Sequence, residues 1–484
     1  MFNHKLIAHI TGTLLLIMTA AMLVPLAVSV ATRDGAQYAI ALSAVVMLLP
    51  ALFLRNLWGR KASYTMGHRE SFWVTSIIWL VVPLLGSVPF MLSGVLPRFV
   101  DALFESISGF TTTGSSVIAD LSEVPPSILV WRSMTQWIGG LGLILFVIAI
   151  LKKLTAGSVQ LYEAEFSGTM QRKLHPHIAK SVSLMWRIYL LLTVLQFAAM
   201  LVCGNGVLES LCLSLSTVST GGFTTTAGGM AGYSQATLGV VTFFMFLSGV
   251  NIALVYHLIT GNGRMLWRSE EFHIYVLIYL VAVLGSTAAL ATAGNSWQSS
   301  LGYSLFHVAS TASTCGFYLP NPVHWSVWVS AFTFALIVIG AMSGSTGGGI
   351  KIKRIMILTR YVHHYFLRML HPNAVFTVKV DGETVKVDYI NKVFAFVFLY
   401  IALIVVGGFL LTLGGLNIPN AVCMAAANIS NLGPSPLLNN IGASVDYVAL
   451  SLSGKCTLMV LMLAGRLEIF AILALLFPIY WKKS

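Results

Sequence analysis

The chain has 484 residues, 57% of them hydrophobic and only 9% charged, with a formal net charge of +12. A soluble domain carries about 25% charged residues, so the composition excludes a globule surrounded by water. On a soluble chain such a charge would point to nucleic acid; here the positive-inside rule for membrane proteins accounts for it, and no nucleic acid is expected.

The charges are bunched: no Asp, Glu, Lys or Arg occurs between Glu209 and Arg264, between Glu271 and Lys351, or between Lys392 and Asp446. A transmembrane helix takes roughly 20 apolar residues, so each stretch has room for more than one crossing. In chain order, two spans come first, at about 6–30 and 37–54. The basic start and apolar run at 6–30 resemble a signal peptide, but the run is longer than a usual signal core and reads as a retained helix. A pattern then appears four times: an apolar span, a short amphipathic stretch, a Ser/Thr/Gly patch and a second apolar span. The first copy is 72–93, 101–110, Thr111-Thr112-Thr113-Gly114 and 127–151; the second is 184–203, 208–218, Ser219-Thr220-Gly221-Gly222 and 236–260. The third is 273–292, 300–312, Ser313-Thr314-Cys315-Gly316 and 324–342; the fourth is 393–413, 419–429, Ser430-Asn431-Leu432-Gly433 and 446–477.

This predicts an all-α polytopic membrane protein. Four pseudo-repeated helix–pore loop–helix units surround one central pore, with two extra helices at the N-terminus. The expected divisions are 1–70 for the helix pair, then repeats at 71–155, 156–265, 266–370 and 371–484. The short stretches cannot span a bilayer and fit re-entrant pore helices. With two crossings per repeat, all inter-repeat loops and both termini share one face. That face holds Arg55, Arg60, Lys61 and Arg69, then Lys152, Lys153, Arg172, Lys173 and Lys180, then Arg264 and Arg268. Lys351, Lys353, Arg354, Arg360 and Arg368 follow, with Lys482 and Lys483 at the end; the other face carries mainly Arg33 and Arg98 beside Asp120 and Glu123. The asymmetry makes the first face cytoplasmic. Its basic loops, 152–187 and 351–392, are candidate docking surfaces for an acidic or nucleotide-binding regulator, with Arg354, Arg360 and Arg368 as contacts; simple topology signalling is the plainer explanation.

Non-helical backbone at membrane depth is tolerated only where protein buries it or it lines a water-filled cavity. Four such segments at matching positions suggest one aqueous path. Glycine admits backbone angles other residues avoid, so an extended Thr-x-Gly segment can aim carbonyl oxygens at the axis in place of an ion's hydration shell. Pore helices aimed by their C-terminal ends add partial negative charge. Small-residue helix packing explains one such patch, but not four, each following a short amphipathic stretch. The third repeat's last span breaks at Ser343-Gly344-Ser345-Thr346-Gly347-Gly348-Gly349. A nucleotide-binding P-loop needs GxxxxGK followed by Ser or Thr; here Ile350 separates Gly349 from Lys351 and no strand precedes. A plain helix break is one reading, and a flexible intramembrane loop below the filter is the sharper one.

Lys455 and Arg466 lie inside the last span. Ionisable residues at that depth are usually functional, and about 16 residues, or roughly 24 Å of helix, separate Arg466 from Lys482. Arg466 is therefore expected to reach the pore below the filter and to bond the 343–349 loop, whereas Glu468 lies on a different side of the helix. Lys455 is nearer the outer end, where snorkelling remains open. Arg132 begins a span and reads as interfacial, and His307 as a packed core residue. The five cysteines (Cys203, Cys212, Cys315, Cys423 and Cys456) contain no CxxC, so neither a disulfide framework nor a metal site is expected.

The segments FESISGFTTTGSS (104–116), WRSMTQWIGGLG (131–142), VQLYEAE (159–165), STGGF (219–223), STCGF (313–317), GSTGGGIK (344–351), HPNAV (371–375), NLGP (431–434) and GRLEIF (465–470) resemble the Trk-type potassium-uptake subunits of the Trk/Ktr/HKT superfamily. The extra helix pair resembles the TrkH/TrkG branch. The resemblance covers nearly the whole chain. It implies potassium as the transported ion, the bacterial inner membrane, a homodimer and a cytoplasmic TrkA-type nucleotide-binding ring. It also implies that the 343–349 loop gates the pore and that Gly114, Gly222, Gly316 and Gly433 are the filter glycines. Asn431 stands where the fourth copy would have threonine, and Cys315 and Leu432 fill the variable slot. A secondary transporter coupled to protons or sodium is the alternative; its inverted repeats and mid-membrane site are not evident. No nucleophile–base pair, metal spacing or cofactor fingerprint suggests an enzyme.

Overall fold

The computed structural model describes residues 4–59, 68–142, 178–226, 228–319, 327–371, 373, 377–434 and 447–472. Residues 152–177 of the first expected docking loop, the far end of the first repeat and the lysines at 482 and 483 lie outside them, and the rest of that loop, from 178, is already helix. Among the described residues, six helices are long and apolar enough to cross a membrane: His4–Thr32, Gln37–Trp58, Ser71–Leu92, Val182–Val202, Glu270–Thr292 and Val387–Leu413. They form because a bilayer offers backbone N–H and C=O groups no partners, so a spanning segment must bond within itself. Their outward faces keep large apolar residues exposed, such as Leu277, Leu280 and Leu284 on one helix and Val405, Val406 and Phe409 on another.

Four shorter helices, Phe99–Phe110, Val207–Val218, Trp297–Ala312 and Ile418–Ile429, fall on the expected pore-helix stretches. Their 12, 12, 16 and 12 residues are too few to cross a hydrocarbon core of about 30 Å. Side-chain caps fix two of their starts: Ser296 accepts from the Ser299 N–H and Asn417 from the Asn420 N–H. Two apolar cores flank the centre. One joins the N-terminal helix pair to the first and fourth repeats around Trp79, Phe104, Phe110, Trp131 and Tyr400. The other joins the second and third around Tyr189, Phe244, Tyr275, Phe306 and Phe317.

The continuous second spans read from the sequence are interrupted. The 236–260 span is two helices, Gln235–Ser248 and Ile252–Ile259, bent by 112°. Gly249 backs onto the Tyr275 hydroxyl and the Ser313 backbone, an approach that a side chain would block, and Asn251 caps the second piece by accepting from the Ala253 N–H. The helices of the other second spans end at Gly140, Ile339 and Arg466. A short hairpin, Lys379–Val380 paired with Glu383–Thr384, turns through Asp381 and Gly382 at positive φ and receives the Glu270 N–H on Asp381.

Candidate functional site

Each short helix ends in the same turn. The N–H groups of Thr113, Gly221, Cys315 and Leu432 donate to the carbonyls of Ser108, Ser216, Ser310 and Ala427 at 2.9, 2.8, 2.9 and 2.9 Å. This is the six-to-one bond of a Schellman closure, which needs one residue in the left-handed region. Thr112, Thr220, Thr314 and Asn431 occupy it, at φ 54°, 55°, 59° and 53°. Threonine is disfavoured there whereas Asn tolerates it, so Asn431 suits the fourth turn.

The glycines two residues on, Gly114, Gly222, Gly316 and Gly433, sit at φ 85°, 77°, 84° and 77°. A Cβ on Gly114 would overlap the Gly221 carbonyl oxygen, one on Gly222 that of Cys315, one on Gly316 that of Leu432, and one on Gly433 that of Thr113. These four contacts close a ring. Each turn lays its carbonyl against the preceding turn's glycine, and the first turn's carbonyl closes on the fourth's. Thr111, Ser219, Ser313 and Ser430 are fully buried behind it. The helix C-termini all run into these turns, placing partial negative charge around the ring.

Buried ion pairs brace the surroundings. Arg132 is not interfacial: it is 2% exposed, and its Nε donates to Glu105 at 2.6 Å. Its Nη1 donates to the Thr224 carbonyl at 2.8 Å, and its guanidinium lies 3.4 Å from the centre of the Phe223 ring. The first pore helix brings Glu105 to it, so a carboxylate and an aromatic face stand in for water. Lys455 does not snorkel; its Nζ donates to Asp101 at 2.7 Å, linking the last helix to the first pore helix. His307 is buried beside the Thr333 hydroxyl, as expected of a packed residue.

The 343–349 loop runs directly beneath the turns. Gly348 N–H donates to the Thr314 hydroxyl at 2.7 Å, and the Thr346 hydroxyl to the Val218 carbonyl at 3.2 Å. At the front, Ser343 N–H donates to Glu271 at 2.6 Å, the Asn251 amide donates to the Ser343 carbonyl at 2.7 Å, and Ile252 N–H to Gly344 at 3.1 Å. Arg466 reaches the middle: Nη1 donates to the Thr346 carbonyl at 3.0 Å, and Nη2 to the carbonyls of Gly139, at 2.6 Å, and Gly140. At the rear, Arg354 pairs with Glu468 at 2.6 Å and stacks on Phe396. A cavity between loop and last helix is lined by Gly140, Gly347, Lys351, Asn431, Arg466 and Glu468.

One expectation changes here. Arg354 is 4% exposed and engaged, so it is not a docking contact; its own helix turns it inward to Glu468. Arg360 is shared between Glu270 and the Lys379 carbonyl, while Arg368 is exposed. Sequence reasoning missed Asn251, Glu271 and Gln136. A lone amide inside a charge-free stretch and a carboxylate at a span's first turn were the available signals.

Membrane-length helices around a closed ring of carbonyls and glycines define a class: a multi-span membrane transport protein, not an enzyme. The sequence profile of the TrkH family, described as a cation transport protein, matches residues 40–275 and 295–482. The chain belongs to that family. Among curated relatives, the Trk system potassium uptake protein TrkH of Salmonella typhimurium is 31% identical over 99% of this chain and 100% of its own. TrkH of Vibrio parahaemolyticus is 32% identical over 99% of each chain, and TrkG of Escherichia coli (strain K12) 28% over 99% of each. The crystal structure of the potassium transporter TrkH from Vibrio parahaemolyticus superposes with a TM-score of 0.87 at 29% identity, covering 100% of both chains.

Proposed function

We propose that this chain takes up potassium across the bacterial inner membrane through a channel-like pore whose selectivity filter is the four-turn ring. The carrying observation is the ring's closure: four carbonyls alternate with four glycines, and pore-helix C-termini surround them. The relatives' names, as potassium uptake proteins, supply the ion. Backbone oxygens in place of a hydration shell suit a monovalent cation. The units at 71–155, 156–265, 266–370 and 371–484 each contribute one turn, and the 1–70 pair buttresses them.

The 343–349 loop is the gate. It blocks the path below the ring, and Arg466 holds it while adding a positive charge that repels an arriving cation. Both termini and the inter-repeat loops face the cytoplasm, where a TrkA-type nucleotide-binding ring docks and two copies of the chain pair as a homodimer within membrane lipid. Arg360 and Arg368 belong to the docking face. Reversal potentials of purified protein in liposomes test the function. Under opposed potassium and sodium gradients a pore follows the potassium potential. A potential that moves with an imposed proton or sodium gradient would replace this reading with coupled transport.

A further inference from the structure

The four turns differ at one point. The residue before the filter glycine is Thr113, Cys315 or Leu432 in three of them, each with a side chain, but Gly221 in the second. Gly221 is not at positive φ, so its backbone does not require glycine. What excludes a side chain is Gln136: a Cβ on Gly221 would overlap that residue's carboxamide carbon, oxygen and nitrogen.

Gln136 comes from the last turns of Pro126–Gly140, the second helix of the preceding repeat, and is fully buried. Its amide is spent on the second turn. Nε2 donates to the Gly221 carbonyl at 2.6 Å, while Oε1 accepts from the Ser216 hydroxyl at 2.7 Å and the Phe223 N–H at 3.3 Å. One turn earlier on the same helix face, Arg132 holds the Thr224 carbonyl and covers the Phe223 ring. Residues four apart on one helix therefore splint the whole 221–224 segment of the next repeat.

We propose that Gln136 is a specificity-determining positioning residue. It supplies from the first repeat the side chain that the second filter turn lacks, and it fixes one of the ring's four carbonyls. A carbonyl oxygen has two lone pairs. With one committed to Gln136, Gly221 faces the ion with a weaker and less mobile oxygen than its three counterparts. Filter selectivity depends on the number and field strength of such oxygens and on how freely they move. Freed from Gln136, the Gly221 oxygen can close on a smaller ion, so sodium gains on potassium.

The inference rests on the ring being the filter, and the experiment separates the two. The readout is the potassium-to-sodium permeability ratio from reversal potentials, which does not depend on protein amount. Gln136→Leu and Gln136→Met keep the volume and remove the amide; either should lower the ratio about five- to tenfold, the loss of one net hydrogen bond's orientation. Gly221→Ser should lower it by collision with Gln136, and adding Gln136→Ala should relieve the collision without restoring the ratio, because the amide that holds the Gly221 carbonyl is then gone. Gly222→Ser is the control for the filter. If it lowers the ratio while the inserted Gln136 and Gly221 variants leave it unchanged, Gln136 is only packing and the proposal is overturned. If Gly222→Ser also leaves it unchanged, the filter reading falls instead.

Discussion

Replacing Arg466 with alanine tests the gate most directly, because the geometry separates what holds the loop from what holds the arginine. Two of its hydrogen bonds go to Gly139 and Gly140, outside the loop, and one, at 3.0 Å, goes to Thr346 within it. Of these three, the bond to Thr346 is the one that opening the loop breaks. A hydrogen bond to a charged group contributes about 1.5–3 kcal/mol net, and 1.4 kcal/mol is about a factor of ten, so the loop equilibrium shifts by about ten- to 150-fold. Arg466→Ala should raise basal potassium flux by that order in liposomes without the regulatory ring. Arg466→Lys keeps the charge but lacks the planar fork that lets one side chain reach three carbonyls. It should therefore fall between wild type and alanine, because it retains the electrostatic barrier and loses the latch. An Arg466→Ala protein that inserts normally and shows unchanged basal flux would refute both roles.

Four further outcomes follow from the same contacts. Asn251→Asp keeps the acceptor that caps the Ile252–Ile259 helix but removes the donor to Ser343 and sets a second carboxylate near Glu271. Basal flux should rise while thermal stability changes little, and wild-type flux would show that the front of the loop stays attached on opening. Gly316→Ser places a side chain against the Leu432 carbonyl at φ 84°, so reversal potentials should report weaker preference for potassium. Arg132→Met leaves Glu105 buried without its cation, a loss of about 3–5 kcal/mol; thermal unfolding should drop sharply, and Arg132→Met with Glu105→Gln should recover part of it. Neutralising Arg360 and Arg368 should weaken pull-down of a TrkA-type ring without affecting insertion; undiminished binding would remove the 351–392 loop from the docking face.

The membrane fold and the four turns were legible because their causes are local. Apolar length sets a span, a short amphipathic helix cannot cross, and a Ser/Thr/Asn-containing patch ending in glycine marks each turn. Arg466 was legible too, since a cation that cannot reach either surface must find internal partners. Pairings across repeats were not. Arg132 looked interfacial because nothing near it in sequence announces Glu105, which stands on another helix. At the break, the close approach of the Tyr275 hydroxyl and the Ser313 backbone to Gly249 is likewise a tertiary contact invisible in a run of apolar residues. The Asp381-Gly382 hairpin turn could have been read from sequence alone, as that dipeptide favours a tight turn, but it lies outside the membrane pattern that organised the reading.

The interlocking of the turns bears on how such a filter tolerates change. Each glycine is excluded from carrying a side chain by the neighbouring turn as well as by its own positive φ, so part of the constraint at one position is set by the next repeat's carbonyl. A disturbance at any one turn therefore displaces an oxygen against which its neighbour is packed, and substitutions in adjacent turns should fail to add, as residues in direct contact generally do. The second turn is the exception. Gln136 and Arg132 pin it from behind, so its carbonyl has the least freedom to follow a neighbour. A disturbance entering at Gly316 or Gly433 should travel round the ring until it meets the Gly221 segment and stop there, which makes the splinted turn the reference against which the other three adjust.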